Sequence, residues 1–229
     1  MRLKLALAAA TLSCTSALAA DLAPAPIDPG APVSWTGFYA GANAGYGWGT
    51  TNVDDNYTAP PPATFSYSNK PSNFIGGIQV GYNYQVGQMV IGAEADIDYF
   101  HDKKLFYLFD NAPFFPVTTT YNALGTARLR AGYAFENALV YATGGLAVAD
   151  VTDNFTNNAA GLTFKKSGLR VGWTVGGGLE YAIDNHWSFK TEYLYTKLQD
   201  TDLDRSFPLG DIKWKHDLQT VRFGINYRF

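Results

Sequence analysis

The residues of this 229-residue chain whose types and spacing could do chemistry are three histidines, one acidic run and ten charges set inside apolar alternation. His101 and His216 fall at the same end of two predicted strands, where nearby Tyr or Asp could complete a heme or metal site; the competing account is simple solvation. His186 falls in a tight turn. Asp200, Asp202, Asp204 and Asp211 copy positions 1, 3, 5 and 12 of a calcium-binding loop. Arg205, however, stands where that loop needs its turn glycine, Asp211 replaces the bidentate Glu, and the flanks read as strands rather than helices. A hydrolase would need a nucleophile, a base and an orienting acid, and no Ser or Asp motif accompanies the histidines. Glycines recur at strand spacing rather than as a phosphate cradle, so neither an enzyme nor a cofactor is expected.

The ten charges are Glu94, Asp96, Asp98, Arg128, Arg130, Glu180, Lys190, Glu192, Arg222 and Arg228, five acids and five bases. Each shares a strand face with small or polar residues, and Arg170 is only marginally part of the set. Near-balance suits mutual pairing in a narrow interior, where an isolated charge would be costly.

These residues need strands to position them. The chain is rich in glycine (23), Tyr (15) and Phe (15), a composition that favours short strands over helices. Period-2 alternation marks 37–50, 73–85, 89–100, 119–135, 169–183, 187–198 and 217–229. The span 138–151 is an eighth strand whose faces cannot be assigned, because Leu139-Val140-Tyr141 and Leu146-Ala147-Val148 blur the pattern. Connections alternate in length: 86–88, 136–137 and 184–186 are tight turns, whereas 51–72, 101–118, 152–168 and 199–216 read as long polar loops. That is the plan of an eight-stranded antiparallel up-and-down barrel with both termini at the short-turn end.

Alternation does not say which face is inside, and three features point to a transmembrane barrel. The mid-strand charges balance, as a filled lumen requires. Aromatic residues on the apolar face gather near strand ends, with Phe38, Tyr82, Tyr84, Tyr133, Phe135, Tyr181, Trp187, Tyr227 and Phe229 at the short-turn end and Tyr46, Trp48, Tyr99, Tyr121, Tyr193 and Tyr195 at the other, as two water interfaces select. Finally, no apolar run approaches the ~20 residues of a spanning helix, and a closed barrel is the other way to satisfy a backbone in lipid.

Arg2 and Lys4, the apolar stretch 5–12 and the small residues Ala17, Ala19 and Ala20 read as a secretory signal peptide over 1–20. It would carry away Cys14, the one cysteine. Without Arg2 and Lys4 the 17 basic residues become 15 against 20 acidic, a net charge of −5, and nothing suggests nucleic-acid binding. Four prolines make 21–34 an extended spacer outside any core, leaving 35–229 as the barrel domain.

The run Trp35-Thr36-Gly37-Phe38-Tyr39-Ala40-Gly41, the Ala-Asp-Leu at Ala20 to Leu22, Tyr141-Ala142-Thr143-Gly144-Gly145 and the aromatic C-terminus resemble the porin-like outer-membrane β-barrel family of alphaproteobacteria. That family includes major surface and hemin-binding proteins of Brucella and Bartonella relatives and is more distantly similar to OmpA-type and opacity barrels. The resemblance covers essentially the whole chain and places it in the cell outer membrane, among lipid and lipopolysaccharide. It implies insertion by the outer-membrane assembly machinery, which reads a last strand ending in an aromatic residue, here Val221, Phe223, Ile225, Tyr227 and Phe229. It carries no shared catalytic residues.

Three functions stay open on the sequence: a structural surface barrel plugged by its own charges, a small porin permitting passive diffusion, and a loop-mediated hemin receptor or host adhesin. Phe106, Tyr107, Phe109, Phe114 and Phe115 make one loop unusually aromatic, which favours contact with lipopolysaccharide or a partner. The acidic run could hold divalent cations that bridge lipopolysaccharide.

Overall fold

The structure, a computed structural model, describes residues 33–57, 63–70, 72–107, 116–157, 162–205 and 210–229. Ten strands form one antiparallel sheet: β1 (Gly37–Tyr57), β2 (Ala63–Asn69), β3 (Ser72–Val86), β4 (Met89–Tyr107), β5 (Pro116–Phe135), β6 (Ala138–Asn157), β7 (Leu162–Ala182), β8 (Trp187–Leu198), β9 (Thr201–Arg205) and β10 (Gly210–Arg228). A ladder from Tyr39↔Arg228 to Asp55↔Ile212 joins β1 to β10 and closes the sheet. Eight strands make the closed wall. The short β2 and β9 flank the upper parts of β1 and β10, where they continue the lines of β3 and β8.

Register is set at the tight turns. Gly87 adopts φ 61° between β3 and β4, and Glu136 takes φ 48° between β5 and β6, a conformation uncommon for a side chain of its size. In the third turn the Asp184 carboxylate accepts the N–H groups of His186 and Trp187, both at 2.7 Å, and these bonds hold its pKa below the usual carboxylate range.

The other end differs from expectation. Most of 51–72, 101–118, 152–168 and 199–216 is strand rather than loop, since β1, β4, β6, β7 and β10 all run on past the predicted limits. Inward residues such as the buried Thr51 and His216 are polar, so alternation fades in the sequence although residues such as Thr118, Thr119 and Thr120 still suit a pleated backbone. Across this extension Lys215 pairs with Asp54 at 3.1 Å, and Ser66 donates to the same carboxylate at 2.8 Å; together they lower the Asp54 pKa. Ile183 and Phe229, predicted inside strands, lie just beyond the ends of β7 and β10.

Two breaks divide the extension. The β3–β4 ladder stops at Gly76↔Tyr99, and the β7–β8 ladder at Gly172↔Leu198. Above these points no ladder among the described residues joins β2 to β4 or β7 to β9. The upper wall is therefore two four-stranded sheets, β4–β7 on one side and β9, β10, β1 and β2 on the other.

The faces follow the predicted parity, and β6 obeys it too. Leu139, Tyr141, Thr143, Ala147, Ala149 and Val151 point inward, while Val140, Leu146 and Val148 are exposed outward. Its alternation is blurred because both faces are apolar. The core also begins before Trp35: Val33, assigned by sequence to the spacer, is buried beside a fully enclosed Trp35. Proline content argued for an extended chain, but an extended chain can still enter a mouth lined with apolar residues.

Candidate functional site

The lumen is filled in three levels. Nearest the short turns, Val33, Trp35, Val90, Ala134, Leu139, Tyr141 and Ala182 form an apolar cluster. Towards the other end Ile75, Leu124, Ala147, Ala149, Val151, Leu198 and Leu218 form a second. The predicted charges, all buried, lie inside the same barrel wall. Neither apolar level was expected from a lumen face read as small and polar.

Nine of the ten charges join one network. Arg128 reaches Glu94 (2.5 Å), Asp96 (2.8 Å) and Glu192 (3.0 Å). Arg222 holds Asp96 at 2.9 Å and Glu192 at 2.5 Å, and also bonds Asp98. Arg130 donates to Glu180 at 2.8 Å, and Lys190 lies 2.8 Å from Glu94. The tenth, Arg228, stands apart. Its guanidinium donates to the carbonyls of Asp184 (2.6 Å) and Ser34 (3.4 Å) and lies over the Trp35 ring, 4.6 Å from its centroid. Its strand face matches expectation, but its position one step from the chain end puts it at the mouth.

Neutral groups that the sequence did not single out as site residues complete the network. Tyr39 donates to Glu94 at 2.8 Å and accepts from Arg130 at 3.0 Å, while the Arg130 guanidinium sits 4.0 Å from the centre of the Tyr141 ring. Thr126 donates to Asp96 at 2.6 Å; Ser188 (2.7 Å) and Asn226 (2.8 Å) donate to Glu180. Gln79 donates to Asn226 at 2.6 Å and accepts from Asn43 at 3.1 Å. All share the inward parity of the charges, which is the signal that could have found them.

Gly45 shows how tightly the wall closes on this network. It faces Arg222 across the β1–β10 ladder, and a Cβ there would meet the Val221 carbonyl oxygen at 2.1 Å and the Arg222 Cα at 2.8 Å. Backbone cannot yield as a flexible side chain does. Gly45→Ala is expected to cost about 1–3 kcal/mol, the usual penalty of overpacking, measured as a lowered urea midpoint with the spectrum of the folded barrel retained.

The remaining candidates separate. His216 is no rim residue: it is buried inside β10, with its Nδ1 3.3 Å from the Thr51 hydroxyl. The chain around it is strand rather than loop, so its side chain alternates into the lumen. The His101 backbone lies in β4, but its side chain is outside the described residues, as are those of Phe106, Tyr107 and Tyr121. Phe109, Phe114 and Phe115 are also outside them. Asp202 and Asp204 belong to β9 and Asp211 to β10, which pair as antiparallel strands, and the side chains of these three are not described; Asp200 lies 3.4 Å from the Lys213 ammonium. No group of His, Cys, Asp and Glu among the described residues is arranged to hold a metal ion.

Outside, Phe223, Ile225 and Tyr227 are exposed along one face of β10 and Phe229 just beyond its end, with Val221 half-buried on the same face. Aromatic rings touch around the short-turn end, Phe38 with Tyr82 and Tyr133 with Phe135 at 4.7 Å, Trp187 with Tyr227 at 5.1 Å. At the far end Tyr46 meets Phe74 at 5.6 Å and Trp173 meets Tyr195 at 5.6 Å. A barrel with charge inside and two aromatic belts outside is inverted relative to a water-soluble one.

Known proteins agree with that inversion. The 31 kDa outer-membrane immunogenic protein of Brucella melitensis is 36% identical over 241 residues, covering 96% of each chain. The 22 kDa outer membrane protein of Rhizobium leguminosarum is 32% identical over 90% of this chain and 82% of its own. Among solved structures, the outer membrane protein OprG from Pseudomonas aeruginosa aligns with a TM-score of 0.55 at 13% identity, over 86% of this chain and 99% of that one. The outer membrane protease OmpT from Escherichia coli gives 0.51 at 12% identity, over 88% and 99%; both are likenesses of fold alone. The family described as outer membrane protein beta-barrel domain matches residues 5–229. This chain belongs to that family and is an eight-stranded barrel protein of the outer membrane.

Proposed function

We propose that the protein is a structural surface barrel with a sealed lumen, without enzymatic activity, whose long hairpins form its outer face. One observation carries the reading: a nine-residue charge network shares the barrel interior with an apolar cluster towards each end. Eight strands leave a bore that side chains can fill, and here both charged and apolar side chains fill it. A small porin would need a continuous wet path, and apolar levels such as Leu124 with Leu198 and Trp35 with Leu139 interrupt one. The hairpins and the outer aromatic belt would meet lipopolysaccharide, and the exposed residues of β10 would be what the assembly machinery reads on insertion.

Single-channel recording in planar bilayers tests this. The native protein should be silent at both polarities, and Arg128→Ala/Arg130→Ala should stay silent as well, because both apolar levels remain in place. Steady conductance of the native protein would overturn the sealed reading in favour of passive diffusion.

A further inference from the structure

At the short-turn end the eight wall strands make four junctions. Three are covalent, the turns that join β3 to β4, β5 to β6 and β7 to β8. The fourth, between β10 and β1, brings together strands from opposite ends of the chain and has no turn to hold it. Residues 33–38 stand where that turn would be. Trp35 is enclosed in the mouth under the Arg228 guanidinium, which also binds the Ser34 carbonyl, and the Phe229 N–H donates to the Phe38 carbonyl at 3.0 Å. A second attachment runs to β3: the Trp35 N–H donates to the Gln85 side chain at 2.8 Å, and the Gln85 N–H donates to the Thr36 hydroxyl at 2.9 Å. Gly37 turns the chain from the mouth into β1 at φ 141°, where a side chain would be strained and a Cβ would lie 3.3 Å from the Phe229 carbonyl oxygen.

We propose that residues 33–38 are a clasp that completes barrel closure. The segment docks as β10 meets β1, so its contacts help to bring together the seam that no turn secures. The contact between Ser34 and Arg228 spans 194 positions of sequence, so it forms late in folding, together with the β1–β10 ladder. Trp35 and Arg228 therefore govern the rate of closure more than the content of strand formed before it. This inference stands whether or not the lumen conducts.

The test uses the full chain with Cys14→Ser, so that Val33→Cys supplies the one thiol, refolded into short-chain phosphatidylcholine vesicles. Closure is followed by the faster migration of the unheated barrel on a gel, strand content by circular dichroism, and docking by maleimide reactivity. The Val33→Cys thiol should become at least tenfold less reactive than in urea, in step with the closed band. Adding Arg228→Ala or, separately, Trp35→Ala should slow the closed band about tenfold while strand content rises at its usual rate, and should restore thiol reactivity. Trp35→Ala leaves every residue of β10 intact, so a slow closure seen with it is no defect of that strand. A thiol that reacts in the closed barrel as fast as in urea would overturn the clasp. So would native closing rates in both variants, even with a lowered melting temperature.

Discussion

Arg222→Met is expected to destabilise the barrel by about 3–5 kcal/mol, the range found when one partner of a buried ion pair is removed. Arg222 is fully enclosed and is the cation shared by Asp96, Asp98 and Glu192. Asp96 and Glu192 keep Arg128, whereas Asp98 would lose its one cation among the described ion pairs. The cost arises from the stranded carboxylate more than from the lost attraction, because methionine fills most of the volume. Pairing the change with Asp98→Asn should therefore recover a substantial part of the loss. Urea unfolding of the refolded protein in vesicles, followed by intrinsic fluorescence, measures both. A single-variant effect below about 1 kcal/mol would mean that water reaches this site and solvates the acids, as at an exposed pair.

Leu129→Arg carries the second large effect and tests the outer face. Leu129 is 73% exposed on β5, between the inward-facing Arg128 and Arg130. Arginine at the middle of the lipid belt of a membrane barrel costs about 2–4 kcal/mol, falling to about 0–1 near the interfaces. Leu169→Arg, beyond the break between β7 and β8, should then be nearly neutral. The comparison is read from the fraction folded into vesicles at fixed lipid and from unfolding midpoints. Equal, negligible effects at both positions would be the behaviour of a barrel surrounded by water, where surface substitutions stay within about 0.5 kcal/mol.

Parity was the legible quantity in this sequence. It separated Phe38, Tyr82 and Tyr227 from Glu94, Arg128 and Arg222, the charge balance and the aromatic belts then put the charged face inside, and the alternation of short and long connections gave the eight strands of the wall. Height along the barrel axis was not legible, since it depends on the stagger between neighbouring strands, which no single strand encodes. Arg228 thus looked equivalent to Arg222, although three inward steps separate a network cation from one at the mouth. The apolar levels were hidden for a related reason. Ile75, Leu124 and Leu218 occupy inward positions that an all-polar lumen would not predict, and in β6 an apolar inner face beside an apolar outer one removed the alternation altogether. The upper strands escaped notice because inward residues such as the buried Thr51 and His216 are polar, so the two faces show little contrast in the sequence.

The two breaks in the upper wall have a consequence for how such a protein can vary. Hairpins of one upper sheet share no ladder with those of the other among the described residues, and both sheets rejoin the common wall only below Gly76↔Tyr99 and Gly172↔Leu198. Insertions, deletions and substitutions in either half leave the registers below undisturbed. Either half can thus be altered piece by piece without the other, while the pairing of the wall below is kept.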